Sequence, residues 1–109
     1  LETSSSSMYT YVTAMAVDRG YVSKPLLRTS TAGRAGVMTK ITMGREDAMT
    51  TLLDICEGTN VADLAYYFGR KRNPNDFHGL GAFLIMNEKF MNKALKGSSK
   101  TLWRPQKAS

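Results

Sequence analysis

The sequence predicts an α+β fold, in which a small N-terminal antiparallel β-sheet of two or three strands is followed by three packed helices. Apolar residues alternate with period two before Gly44, and they recur at helical spacing after it. Glycines also stand where the predicted helices would end. With 109 residues, of which 42% are hydrophobic, the chain has the size and composition of one globular domain.

The domain organisation follows from these patterns. Residues 1–7 are rich in serine and are expected to form a flexible tail, while residues 8–109 form a single globular domain. Within that domain we expect strands in residues 8–43, helices in residues 46–97 and a basic C-terminal tail in residues 98–109.

The strands are predicted from side-chain alternation. Residues 8–17 contain aromatic and β-branched residues without Gly or Pro, and residues 37–43 alternate most clearly. Between them, Pro25 would confine residues 21–28 to an edge strand. The small, glycine-rich residues 29–36 are expected to form a loop.

The helices are predicted from apolar stripes. The first spans residues 46–57 and carries Cys56 on its core face, the second ends at Gly69, and the third runs from about Phe77 to Lys96 and stops at Gly97. Leu64 and Phe68, both on the second helix, are assigned to the hydrophobic core. Replacing Phe68 with Ala is therefore expected to cost about 3–5 kcal/mol.

Charge and cysteine content restrict the classes of partner and compartment. The net charge is +6, and residues 64–109 contain nine basic residues against two acids. Such a surface attracts polyanions, although a solvated basic face is the simpler alternative. No apolar run is long enough for a membrane span, and the N-terminus lacks a secretory signal pattern. The single cysteine, Cys56, fits a reducing compartment, which favours the cytoplasm, or the nucleus in a eukaryotic or viral setting.

The candidate binding residues lie in a basic loop and along the last helix. The loop residues suit phosphate contact, an adjacent tyrosine could stack on a base, and the lysines recur at helical spacing. These residues are Arg70, Lys71, Arg72, Asn73, Tyr67, Lys89, Lys93, Lys96, Lys100 and Arg104. An exposed loop tip and a solvated helix face remain the alternatives. Trp103 is expected to fold back against the helices and to bring Arg104 and Lys107 beside the lysines.

Residues 61–69 form a short apolar helix pattern that contains Leu64, Ala65 and Phe68 and ends at Gly69. This pattern resembles the first half of the helix-turn-helix motif of DNA-binding proteins. The resemblance implies that a second helix after the turn enters the major groove and reads bases with its first residues.

These observations predict a small basic nucleic-acid-binding protein, regulatory or structural, without catalysis. His78 and Cys56 fall on different predicted helices, and metal-ligand spacings such as CxxC are lacking, so no catalytic residue, metal or cofactor is expected. The alternative is a protein-interaction or inhibitor module of viral or mobile-element type, which acts as a homo-oligomer. A third hypothesis is an enzyme with a basic site for a phosphorylated substrate.

Overall fold

The computed structural model describes the backbone of residues 2–97 and the side chains of residues 2–92, and helices dominate it. The order of elements is α1 (Thr3–Asp18), a 3₁₀ turn (Lys24–Leu26), α2 (Leu27–Met38), β1 (Ile41–Met43), β2 (Thr50–Leu52), β3 (Ile55–Cys56), α3 (Leu64–Phe68), β4 (Arg72–Asn73) and α4 (Phe77–Gly97). No helix within this range combines the length and hydropathy of a membrane span.

Helices α1 and α2 pack closely because small residues face each other. The buried face of α1 consists of Thr3, Ser7, Thr10 and Ala14, which recur at helical spacing. The Ser30 hydroxyl in α2 donates to the Thr10 carbonyl at 2.8 Å. A Cβ atom on Gly33 would overlap the Thr10 hydroxyl oxygen, so the approach requires glycine at this position.

Two short antiparallel pairs of strands connect the helices. β1 pairs with β2, with Ile41 opposite Leu52, and β3 pairs with β4, with Ile55 opposite Asn73. Leu52 and Ile55 are buried in the core. Gly79, in the first turn of α4, lies against Ile55, since a Cβ atom at Gly79 would come within 2.7 Å of the Ile55 side chain. This contact fixes the start of α4 on the second strand pair.

Residues 3–7, which the sequence predicts as a flexible tail, form the first turns of α1. The Glu2 carboxylate caps the helix by accepting from the Ser4 and Ser5 amides at 2.9 and 2.7 Å. The same carboxylate accepts from the Cys56 amide at 2.9 Å, and the Thr3 hydroxyl donates to the Leu53 carbonyl at 2.6 Å. The start of α1 is therefore attached to the segment that carries β3.

The prediction of N-terminal strands followed by three helices is wrong, because the chain begins with helices. Residues 8–17 belong to α1, residues 29–36 belong to α2, and only Ile41–Met43 of the predicted strand 37–43 is extended. The helix predicted for residues 46–57 is replaced by a turn and the strands β2 and β3. The error arises because the strands were predicted from the alternation of large side chains. The packed face of α1 instead consists of small residues, which that alternation does not mark.

Candidate functional site

Polar side chains concentrate where the β3–β4 pair, the loop that carries α3, and the start of α4 meet. The polar loop cluster is our name for the side chains of Glu57, Arg70, Asp76 and His78 together with the backbone of Gly58. Glu57 and Gly58 follow β3, Arg70 precedes β4, and Asp76 and His78 lie at the start of α4. The pairing of β3 with β4 brings these distant parts of the chain together.

Arg70 holds the loop closed. Its guanidinium Nη2 donates to the Gly58 carbonyl and lies 3.4 Å from Glu57 Oε1. Its Cζ atom stands 4.6 Å from the centre of the Tyr66 ring, which is cation–π geometry. Glu57 completes the closure, because its amide donates to the Lys71 carbonyl at 3.0 Å and its Oε1 accepts from the Lys71 amide at 3.0 Å.

The two tyrosines of α3 stabilise the same loop from within. The Tyr66 hydroxyl accepts from the Asn60 amide at 3.1 Å, and the Tyr67 hydroxyl accepts from the Ala62 amide at 3.0 Å. The two rings contact edge to face with their centres 5.7 Å apart. Tyr67, predicted to stack on a base, thus uses its hydroxyl to order the loop. The Asp63 carboxylate caps α3 by accepting from the Tyr66 amide at 2.9 Å.

Asp76 caps α4 and orients the His78 ring. Its Oδ1 accepts from the His78 amide at 2.9 Å and lies 2.6 Å from His78 Nδ1, and its Oδ2 accepts from the Asn73 side chain at 3.4 Å. The His78 amide, followed by the His78 ring, holds the pKa of Asp76 below its ordinary value. When Nδ1 carries the proton it donates to Asp76, which leaves Nε2 as an acceptor.

The free edge of the His78 ring faces the loop. A Cβ atom on Gly58 would come within 2.9 Å of Nε2, so glycine leaves the space that this edge occupies. The His78 side chain is nevertheless 61% exposed. The cluster therefore holds an oriented, largely exposed imidazole ring beside a closed, ion-paired loop.

The structure distributes the predicted binding residues among several roles. Arg70 is engaged within the loop, Arg72 lies in β4 opposite Cys56, and Asn73 donates to Asp76. Lys89 forms an ion pair with Asp18, which joins α4 to α1. Lys93 and Lys96 lie on α4, but their side chains fall outside the described part, as do Lys100, Trp103, Arg104 and Lys107 altogether. Ligand binding by these residues stays a prediction.

Sequence reasoning missed Glu57, Gly58, Asp76 and His78 as members of one site. The sequence patterns do not pair His78 with Asp76. The spacing of Asp76 and His78 at a helix start could have indicated this pair. A carboxylate that caps a helix can also reach a ring two residues later in the chain. Within residues 2–92, no group of three or more His, Cys, Asp or Glu side chains could hold a metal ion.

Comparison with known proteins finds similarity to glycoside hydrolases. The family model described as Glycosyl Hydrolase Family 88 matches residues 1–93. A solved glycoside hydrolase from family 105 of C. acetobutylicum ATCC 824 superposes with a TM-score of 0.77 at 27% sequence identity. The match covers 84% of this chain and 28% of that one, so this chain spans under a third of the length of its structural relative.

These matches correct the functional predictions. The helix-turn-helix resemblance is wrong, and so are the nucleic-acid partner and the viral or interaction-module alternative, because both matches are to glycoside hydrolases. The expectation of a protein without catalysis is wrong for the same reason. Since the family model accounts for most of its length, the chain belongs to glycosyl hydrolase family 88.

Proposed function

We propose that this chain is part of a glycoside hydrolase and that its polar loop cluster contacts the saccharide. The observation that carries the proposal is the family match over residues 1–93. The relative described as a glycoside hydrolase is much longer than this chain, so the activity is proposed for a larger protein that includes these elements.

The proton-transfer chemistry of the reaction limits the role of the cluster. Glycoside hydrolysis generally uses two carboxyl groups, one of which must stay protonated to act as the general acid. Hydrogen bonds lower the pKa of Asp76, and the Lys40 ammonium, which donates to Asp54, lowers the pKa of that carboxyl. Because a general acid requires a raised pKa, these groups suit ionised roles. We therefore assign binding and orientation to the cluster, and the general acid to another part of the hydrolase.

Sugar hydroxyls both donate and accept hydrogen bonds, which matches what the cluster offers. The His78 ring is largely exposed, and its Nε2 can accept from a hydroxyl when Asp76 holds the proton on Nδ1. The Arg70 contacts to Gly58 and Glu57 keep the opposing loop in place, so little ordering is required when a saccharide binds.

Binding can be tested on the chain itself. Neutral and acidic oligosaccharides are titrated into the ¹⁵N-labelled chain, and amide and imidazole resonances are followed. We expect saturable shifts at Gly58 and His78, and their loss in His78→Ala. The control, Glu46→Gln, changes an exposed residue of the β1–β2 turn and should retain the shifts. Shifts confined to other elements would move the binding site elsewhere.

Activity is tested in a chimera, in which residues 2–97 replace the matching region of the C. acetobutylicum hydrolase. Release of reducing ends from the substrates of that enzyme is measured. His78→Ala should raise KM by about tenfold with a smaller effect on kcat, because a binding contact is removed. A folded chimera without hydrolysis would contradict the proposed function.

A further inference from the structure

Two large apolar side chains of α3 are exposed on the loop that Arg70 closes. Leu64 and Phe68 are 68% and 81% exposed. They are four residues apart, so they lie on one face of this short helix. We call Leu64 and Phe68 the α3 platform. Neighbouring apolar side chains that stay open to solvent mark a contact surface more often than single ones do.

The α3 platform is not what holds the loop in shape. The hydroxyls of both α3 tyrosines accept from loop amides, and the Asp63 carboxylate caps the helix. The Arg70 guanidinium then closes the loop through its contacts with Glu57 and Gly58. Because these polar contacts order the loop and solvent surrounds most of the platform, its apolar surface is free to contact a ligand.

The α3 platform is continuous with the polar loop cluster. Phe68 precedes Arg70 by two residues, and the Arg70 guanidinium donates to the Gly58 carbonyl. Gly58 in turn lies against the His78 ring, since a Cβ atom on Gly58 would come within 2.9 Å of Nε2. A saccharide of several rings that is bound at His78 can therefore extend along this loop to α3.

An exposed phenyl ring is chemically suited to the face of a sugar ring. A pyranose carries C–H groups on its faces and hydroxyls around its edge. The hydrogens of these C–H groups bear a small positive charge, which is attracted to the electron-rich face of an aromatic ring. The contact also removes apolar surface of Phe68 and Leu64 from water. Because the loop is already ordered, little conformational entropy is lost when the sugar binds.

We propose that the α3 platform binds a later ring of an oligosaccharide whose first ring contacts the polar loop cluster, with the sugar stacked on Phe68. The platform makes the site selective for saccharides of several rings over disaccharides. This proposal rests on the proposed function, because the polar loop cluster holds the first ring.

Length-dependent binding tests the proposal on the chain itself. Cello-oligosaccharides as neutral probes and oligogalacturonates as acidic probes, each of two and six rings, are titrated into the ¹⁵N-labelled chain. We expect the six-ring member of one series to shift the resonances of the α3 platform as well as those of Gly58 and His78. Phe68→Ala should weaken six-ring binding about fivefold and two-ring binding by less than about twofold. Phe68→Tyr retains an aromatic ring and should preserve six-ring binding.

Val61→Ala is the matched control, because Val61 is an apolar residue of the same loop, is 98% exposed and lies outside the platform. It should leave binding of both lengths unchanged. The proposal would be overturned by six-ring binding that Phe68→Ala does not weaken, by equal weakening at both lengths, or by the absence of six-ring binding. A parent dimer that Phe68→Ala dissociates would also overturn it, because a second copy would then cover the platform.

The same titrations separate this proposal from the proposed function. Shifts at Gly58 and His78 that are equal for two and six rings would contradict the α3 platform and leave the role of the polar loop cluster intact. Six-ring shifts at Leu64 and Phe68 that Phe68→Ala removes, without shifts at Gly58 or His78, would support binding at the platform and contradict the role of the cluster.

Discussion

Contacts of single residues link distant segments of the chain, and Glu2 is the clearest case. Partial burial raises the pKa of Glu2, but donors from Ser5, Cys56 and Ser4 outweigh it and lower the pKa from its ordinary 4.5 to about 2. A carboxylate that accepts several amides is stabilised in its ionised form. One side chain thereby caps α1 and joins it to β3.

This arrangement predicts a pH-dependent stability. Because the pKa is depressed in the folded state, the contribution of Glu2 is complete above pH 4.5 and is lost as the pH falls from 4.5 towards 2. Glu2→Gln should lower stability by about 1 kcal/mol at neutral pH, after allowing for solvent screening, and should flatten the pH dependence. Urea unfolding at pH 7 and pH 3 measures the difference. Glu46→Gln serves as the control. The effect is excluded if the free energy of unfolding of Glu2→Gln changes between pH 7 and pH 3 by as much as that of the parent.

The residues of the polar loop cluster show how far sequence reasoning reaches towards a site. The sequence indicates the basic loop at Arg70. It did not indicate that Arg70 closes on Gly58, because that contact depends on two strands of only two residues each. Strands this short leave no periodic pattern, so the sequence cannot reveal which loops they bring together.

At the level of elements, the type of residue that is buried determined which predictions succeeded. α4 has large apolar residues at helical spacing, and its predicted bounds agree with the observed Phe77–Gly97. α1 instead buries hydroxyl-bearing and other small residues, and α2 buries only Ser30 and Val37, while Tyr9 and Val12 of α1 are exposed. Stripes of large apolar residues therefore do not mark these two helices. The small residues Ser7 and Ala14 of α1 do share one helix face, because they are two helical turns apart.

The close α1–α2 contact predicts opposite effects for two glycines of the same helix. Gly33→Ala should destabilise the chain by about 1–3 kcal/mol, because its Cβ atom would overlap the Thr10 hydroxyl. Gly36 has no atom within 4 Å of its built Cβ position, so Gly36→Ala should stabilise the helix by about 0.5–1 kcal/mol. Urea denaturation of both variants makes the comparison.

A rescue experiment identifies the cause of the Gly33 effect. Thr10→Ala removes the hydroxyl that the new methyl group would meet, so the double variant Thr10→Ala with Gly33→Ala should lose less stability than the sum of the single variants. Additive losses would mean that the hydroxyl is not the obstacle and that the backbone spacing of α1 and α2 limits the contact.

For the whole molecule, the distribution of apolar residues agrees with the proposal that these elements are part of a larger hydrolase. In the described chain the buried hydrophobic residues are Ala14, Val37, Leu52, Ile55 and Met86. Many larger side chains stay open, among them Phe77, which is 90% exposed. The apolar stripes predict a self-contained core that includes Leu64 and Phe68, and this prediction is wrong because both side chains are exposed.

The same distribution predicts which truncations matter in the isolated chain. The sequence assigned Phe68 to the core, with a cost of about 3–5 kcal/mol on truncation, but the structure leaves it 81% exposed. Phe68→Ala should therefore change the free energy of unfolding by less than about 1 kcal/mol, as expected for a surface position. Met86 of α4 is fully buried, and Met86→Ala should cost about 2–5 kcal/mol by leaving a cavity.

Urea denaturation of the Phe68→Ala and Met86→Ala variants under identical conditions provides the test. Similar losses for both would show that Phe68 is covered in solution, for instance by a second copy of the chain, and sedimentation of the parent and of Phe68→Ala would then identify that contact.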